Sequence, residues 1–242
     1  MKVLSLASRN FKEIFRDPVT VLLGIAMPVM LMFLFSSLFE RSGIDIFSPT
    51  LLTPGVVIFS YAFIIMFSAV LLAKDKQSSF LIRLFTTPMK PVDFILAYIL
   101  PFLPFALFQT LVCMLAGYLL GAEYTQLLPM LGIYLMVALT CICLGVAMGA
   151  LLTLNQISGV GSLLITVISI FSGAWMDLGM VGGVFETFGY ALPFAHAVDA
   201  VKDLFKGIAN NGTLHHLIIV GAYMLVFFLI AIFSFRRTMR KG

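Results

Sequence analysis

The sequence predicts an all-α, polytopic membrane protein. It has six transmembrane helices, an interfacial helix before the first, a short helix in the second loop and a re-entrant helix pair between the fifth and sixth. Three observations carry this. The 242 residues are 61% apolar and 11% charged, with mean hydropathy +1.10. A soluble domain carries about 25% charged residues, so a water-soluble globule of this composition would lack a polar coat. The apolar residues fall in charge-free runs of the length, about 20 residues, that crosses roughly 30 Å of hydrocarbon. The remaining charges sit in short clusters between those runs.

The same composition excludes a disordered chain, a collagen-like fibre and a disulfide scaffold, since Cys113, Cys141 and Cys143 all lie within apolar runs. The net charge of +4 is scattered and not interleaved with aromatics in one patch, so no nucleic-acid partner is expected. No cleavable signal is expected either, because the first apolar run is longer than a signal-peptide core and has no small-residue cleavage site behind it.

A Lys, Arg or Asp at a helix centre costs about 2.5 to 3.5 kcal/mol on the insertion scale, so charge-free runs locate the spans. They fall at about 18–39, 51–73, 94–120 and 214–235. A fifth run, 124–176, would be roughly 80 Å long as one helix and must fold back. The polar interruption Thr153-Leu154-Asn155-Gln156 is the natural turn, giving spans at about 127–152 and 157–176. Twelve Lys and Arg residues lie in the N-terminal segment, the second loop and the tail, against Arg41, Lys202 and Lys206 on the other side. That bias predicts a multi-pass protein with both termini in the cytoplasm. The 153–156 turn carries no charge and is oriented by its neighbours alone.

Residues 2–17 place Leu4, Ala7, Phe11, Ile14 and Phe15 on one helical stripe, with Lys2, Ser5, Arg9, Lys12, Glu13 and Arg16 elsewhere. This is the pattern of a helix lying in the interface. In the loop 74–93, Ser78 or Ser79 can cap a helix in which Phe80, Leu81, Leu84 and Phe85 share a face and which Pro88 closes. A charged loop lying on the lipid is the alternative. On the outer side, 177–213 holds too many charges for a seventh span. Phe194, Val198, Val201, Phe205 and Ile208 still step by 4, 3, 4 and 3, so an amphipathic helix is expected. Asp199 with Lys202 and Asp203 with Lys206 form i, i+3 pairs on its polar side. A solvated cap is the alternative to a hairpin that dips into the leaflet.

Gly117 with Gly121 and Gly145 with Gly149 have small-xxx-small spacing, expected to serve packing within the chain. Pro101 and Pro104 bend the third span. No HExxH, CxxC or GxxxxGK[ST] motif occurs, and no carboxylate falls within the predicted spans. His196, His215 and His216 read as solvated interfacial side chains. No catalytic, cofactor-binding or metal-ligating residue is expected, and the chain is not expected to be an enzyme.

Three stretches carry a family resemblance. They are the basic N-terminus running into Arg16-Asp17-Pro18, the string Phe80-Leu81-Ile82-Arg83-Leu84-Phe85-Thr86-Thr87-Pro88, and the block from Phe171-Ser172-Gly173 through Leu192-Pro193 to Lys202 and Gly207. In their order and spacing the chain resembles the permease subunits of type 2 ABC exporters, the group containing drug-resistance and polysaccharide or lipid-linked glycan exporters. It departs from them in having Lys74-Asp75-Lys76-Gln77-Ser78-Ser79 where an acidic stretch and Gly-Thr are common, and Lys202 where an Arg is common.

The resemblance implies a single transmembrane permease domain, 1–242, in the plasma or inner membrane, moving an amphipathic or lipid-like substrate outward. ATP and Mg would bind on a separate ABC ATPase dimer. Phe80, Arg83, Leu84, Phe85 and Pro88 would form the coupling helix that, with the N-terminal helix, docks there. A second copy or paralogue would line the route, and Phe194, Val198, Val201 and Phe205 would form an outer gate. Two other classes stay open on the residues alone: an ATP-independent channel or carrier, and a non-transport membrane assembly or immunity factor.

Overall fold

The computed structural model describes residues 2–78, 80, 89–207 and 211–239. All regular elements among them are helices. In chain order they are α1 (Lys2–Arg16), α2 (Pro18–Ser42), α3 (Pro49–Gln77), α4 (Pro91–Leu119), α5 (Leu127–Leu151), α6 (Leu154–Phe171), three short helices α7 (Leu178–Val181), α8 (Gly183–Tyr190) and α9 (Pro193–Phe205), and α10 (Asn211–Met239). Six of these, α2 to α6 and α10, are long and apolar enough to cross a membrane.

α3 is the centre of the bundle, packed by α2, α4, α5, α6 and α9. Missing side chains make this possible. A Cβ on Gly145 would lie 2.4 Å from the Ile65 carbonyl oxygen, and one on Gly149 would lie 2.6 Å from that of Ala69. The pair therefore serves the α3–α5 crossing, as close helix contact requires. The other spaced pair differs. Gly117 faces the side chains of Thr53 and Tyr124, whereas Gly121 has no neighbour to pack on and ends the α4 turn at φ +96°.

Prolines are accommodated by specific local devices. Pro28 lies inside α2, where its ring would crowd the preceding turn. Leu22–Ala26 is wound there as a wider π turn, with the Met27 N–H bonded to the Leu22 carbonyl. In α4, Pro101 has no N–H to give the Ala97 carbonyl. The Asn10 side-chain amide donates to that oxygen instead, at 3.1 Å, from α1.

That bond changes the expected seating of α1. Leu6, Ala7, Asn10 and Ile14 are buried, while Leu4, Phe11 and Phe15 stay exposed. The predicted apolar stripe is thus split between a face against α4 and an edge that remains uncovered. At the far end of the fifth span the helix stops at Phe171, earlier than expected. Gly173 takes φ +69° and turns the chain so that Ala174 lies across α3 at Gly55, where a Cβ would sit 2.3 Å from the Ala174 oxygen.

Hydrogen bonds place the uncharged 153–156 turn. Lys76 Nζ donates to the carbonyls of Gly149, Ala150 and Leu152 at 3.0, 3.0 and 2.7 Å. Thr238 Oγ1 donates to Ala150 O at 3.0 Å. The α5–α6 turn, the end of α3, the end of α10 and α1 therefore share one side.

Candidate functional site

On the α1 side, three segments distant in sequence meet at one carboxylate. The sequence pattern puts Asp75 in a solvated loop, but α3 continues through Gln77 and leaves Asp75 only 2% exposed. Arg9 donates to it from both terminal nitrogens, Nη1 to Oδ2 at 2.5 Å and Nη2 to Oδ1 at 2.8 Å. The Tyr98 hydroxyl of α4 donates to Oδ2 at 2.6 Å. Such a fork-shaped contact fixes orientation as well as distance. Donation to the Asp75 carboxylate holds the Arg9 guanidinium above its ordinary pKa, against the opposing effect of burial. Arg9 also pairs with Glu13 at 2.7 Å, one helical turn on.

The second-loop segment expected to form the coupling helix starts beside this junction. The Arg9 guanidinium lies 4.5 Å from the centroid of the Phe80 ring, and Phe80 packs partly buried against the core. Phe80 is therefore turned inward. Ser79, Leu81, Arg83, Leu84, Phe85 and Pro88 lie outside the described residues. Arg9, Asn10, Asp75, Lys76 and Tyr98 were not singled out by the sequence pattern.

On the far side, all four proposed gate residues, Phe194, Val198, Val201 and Phe205, are buried. α9 packs them against α3, α5 and α10. The Phe205 ring meets that of Tyr124 edge-on at 5.1 Å, and Thr125 Oγ1 donates to the Leu204 carbonyl at 2.6 Å. Ile208 lies outside the described residues.

The polar side of α9 departs from expectation. Neither Asp199 with Lys202 nor Asp203 with Lys206 forms an ion pair among the described residues, whose ion pairs all involve Arg9. Asp199 accepts from Tyr190 at 2.6 Å and Asp203 accepts from Thr213 at 2.9 Å. These partners come from neighbouring elements and tie α9 to α8 and α10. Lys202 Nζ reaches the Gly173 carbonyl at 3.3 Å, and its burial pulls the ammonium pKa down.

His196 is buried, not solvated. Its Nε2 lies 3.0 Å from the Tyr190 carbonyl, which can only accept, so Nε2 carries the proton. Its Nδ1, 2.8 Å from Nδ1 of His216, then accepts from that ring. Desolvation lowers the His196 pKa.

Between the two ends, the Tyr61 and Thr110 hydroxyls bond across α3 and α4. The Gln109 amide and Tyr134 hydroxyl are buried with no hydrogen-bond partner among the described residues. α6 differs from its neighbours in leaving Ser158, Gly159, Ser162 and Thr166 exposed along one face, with Ser162 and Thr166 bonded back to their own helix. Among the described residues no group of three His, Cys, Asp or Glu is placed to hold a metal ion.

A six-span helical bundle with a docked amphipathic N-terminal helix and a short helical cap before the last span defines a multi-pass membrane protein. Residues 1–206 match the ABC-2 type transporter family, and the chain belongs to that family. It is accordingly a membrane permease component of an ABC transporter, a class that works with an ABC ATPase. No curated protein matches the chain.

Proposed function

We propose that the chain is the transmembrane subunit of an ATP-driven exporter that moves an amphipathic or lipid-like substrate out of the cytoplasm or inner leaflet. ATP and Mg bind on a separate ATPase dimer, and both termini face the cytoplasm, as the Lys and Arg bias favours. The observation that carries the reading is the Arg9–Asp75–Tyr98 junction. It makes α1 a rigid extension of α3 and α4 at the point where the second-loop segment begins. Displacement of α1 or of that segment by an ATPase would be passed directly to two spans.

Phe80 is the inner anchor in this scheme, and Arg83, Leu84 and Phe85 are the contacts offered to the ATPase. Burying Leu84 or Phe85 on a partner contributes about 1.5 to 3 kcal/mol each. A second copy or paralogue packs along the exposed face of α6 that carries Ser158, Gly159, Ser162 and Thr166, whose small side chains let another helix approach closely. The α9 face covers the outer end of the route and moves when ATP closes the partner subunits.

Changing Leu84 and Phe85 to Asp should abolish co-purification of the ATPase while membrane insertion persists. Unchanged ATPase association and ATP-dependent export would refute the coupling role.

A further inference from the structure

A cavity of about 440 Å³ opens beside α9 on the far side, where the turn after α6 meets the α2–α3 connection. Its size falls within the roughly 300 to 1,000 Å³ of small-molecule sites. Two carboxylates, Asp45 and Asp177, and two ammonium groups, Lys202 and Lys206, line it together. None of the four forms an ion pair among the described residues, and Asp177 acts on Lys202 only through space, favouring its charged form. Lys202 is half-buried with one long contact, to Gly173 O at 3.3 Å, which leaves two of its three N–H donors for another acceptor. Asp177 uses Oδ1 to cap Gly179 N–H at 2.9 Å and keeps Oδ2 available.

The lining carries two cations and two anions and sums to zero charge, so a neutral molecule carrying one cation and one anion can answer both signs. The rim is apolar: Ile44 and Met180 line the cavity and are exposed. In a membrane-spanning chain, exposed apolar groups around a polar pocket suit a ligand with a hydrocarbon portion.

We propose that this cavity binds the headgroup of an ethanolamine phospholipid of the outer leaflet, with Lys202 and Lys206 on the phosphate and Asp45 and Asp177 on the ammonium. An ethanolamine ammonium has N–H groups to donate to carboxylates. A choline headgroup has none and is held by aromatic faces, and Trp175, the aromatic residue lining the cavity, is already packed by Phe35 and Phe59 with ring centroids at 5.2 Å each. An anionic glycerol headgroup would satisfy the lysines but leave both carboxylates uncompensated. The phosphate also relieves the cost of an ammonium drawn partly out of water at Lys202. The site is independent of the export reading, because occupancy is measured without the ATPase.

The test uses the full-length chain, purified in detergent and stripped of lipid, with bound lipid counted by native mass spectrometry. Dioleoyl-phosphatidylethanolamine should be retained about tenfold more tightly than dioleoyl-phosphatidylglycerol or dioleoyl-phosphatidylcholine. Asp177→Asn keeps the Gly179 cap through its amide oxygen and should shift the ratio toward phosphatidylglycerol by about tenfold. Lys202→Met should weaken both lipids, and Lys74→Gln, on the α1 side, should weaken neither. Equal retention of the ethanolamine and glycerol lipids, or an unchanged ratio in Asp177→Asn, overturns the assignment. So does soluble O-phosphoethanolamine binding as tightly as the lipid, which would make the ligand a free phosphoamine. Should Lys202→Met fail to fold, the Asp177→Asn ratio decides alone.

Discussion

The two ends of the bundle are held together by different physics. On the α1 side, α1, α3 and α4 meet through a buried carboxylate that accepts three hydrogen bonds, and α3, α5 and α10 meet through Lys76 and Thr238 on carbonyls at the end of α5. On the far side, α9 buries the apolar surface of Phe194, Val198, Val201 and Phe205, and hydrogen bonds to Asp199 and Asp203 tie only its polar side to α8 and α10. Charge-assisted hydrogen bonds are directional and resist sliding, whereas apolar contact is non-directional and tolerates it. On the reading proposed above, the ionic end is where a partner ATPase would act and the α9 end is where an exit would open.

The largest expected effect breaks the apolar end. Val198→Asp with Val201→Asp would put two unpaired charges into a fully buried face, costing several kcal/mol. Export should stop while insertion and ATPase association persist. A double variant that inserts, binds its ATPase and exports at the parental rate would show that α9 is not a cover.

Next comes the ionic end. Arg9→Met leaves Asp75 buried with Tyr98 alone and should cost about 2 to 5 kcal/mol, read as a fall in thermal unfolding temperature. Adding Asp75→Leu removes the stranded charge, so stability should return. Export should not, if the junction transmits force. Recovery of both would reduce it to a structural staple.

Asn10→Leu should cost about 1 to 3 kcal/mol, since it strands the Ala97 carbonyl in a low-polarity setting. Pro101→Ala supplies the missing N–H, and the pair Asn10→Leu, Pro101→Ala should be close to parental in thermal unfolding. Strict additivity of the two changes would contradict the shared-carbonyl account.

The smallest effect sharpens the comparison through pH. Desolvation lowers the His196 pKa, so below about pH 6.5 the unfolded chain binds a proton that the folded chain resists. Stability at the far end should therefore fall as pH drops from that value toward the lowered folded one. His196→Gln should flatten the profile. A slope that survives the substitution would assign it to other groups.

The spans are legible in the sequence because the penalty for a charge at a helix centre is paid locally, wherever the rest of the chain lies. The fold-back after Leu152 is legible for the same reason: Thr153 and Gln156 are polar groups in an apolar run, and in the structure they cap α6, with the Thr153 N–H bonded to Gln156 Oε1 at 2.9 Å. The α1-side junction is not legible. Arg9 and Asp75 are 66 residues apart, and hydropathy cannot distinguish an arginine facing water from one facing a buried acid. Asn10 sits inconspicuously beside Arg9, and its role depends on a proline 91 positions further on, in α4. On α9 the apolar period gives the buried face correctly. The polar side was misread because Tyr190 and Thr213, brought in by the fold, compete for Asp199 and Asp203 better than the neighbouring lysines do.

The Asn10 to Ala97 bond also has a consequence for biosynthesis. Its two ends are 87 residues apart, so at about 5 to 20 residues per second the first helix waits roughly 4 to 17 s after synthesis for its partner to be made. During that interval α1 has no α4 to dock on, and of its partners described above only Asp75 of α3 and Phe80 are made before Ala97. Once α4 arrives, Pro101 leaves the Ala97 carbonyl without an N–H from its own helix, and the amide of Asn10 closes it. The N-terminus is thus synthesised first and seated late, and the order of assembly is written into a single orphaned oxygen.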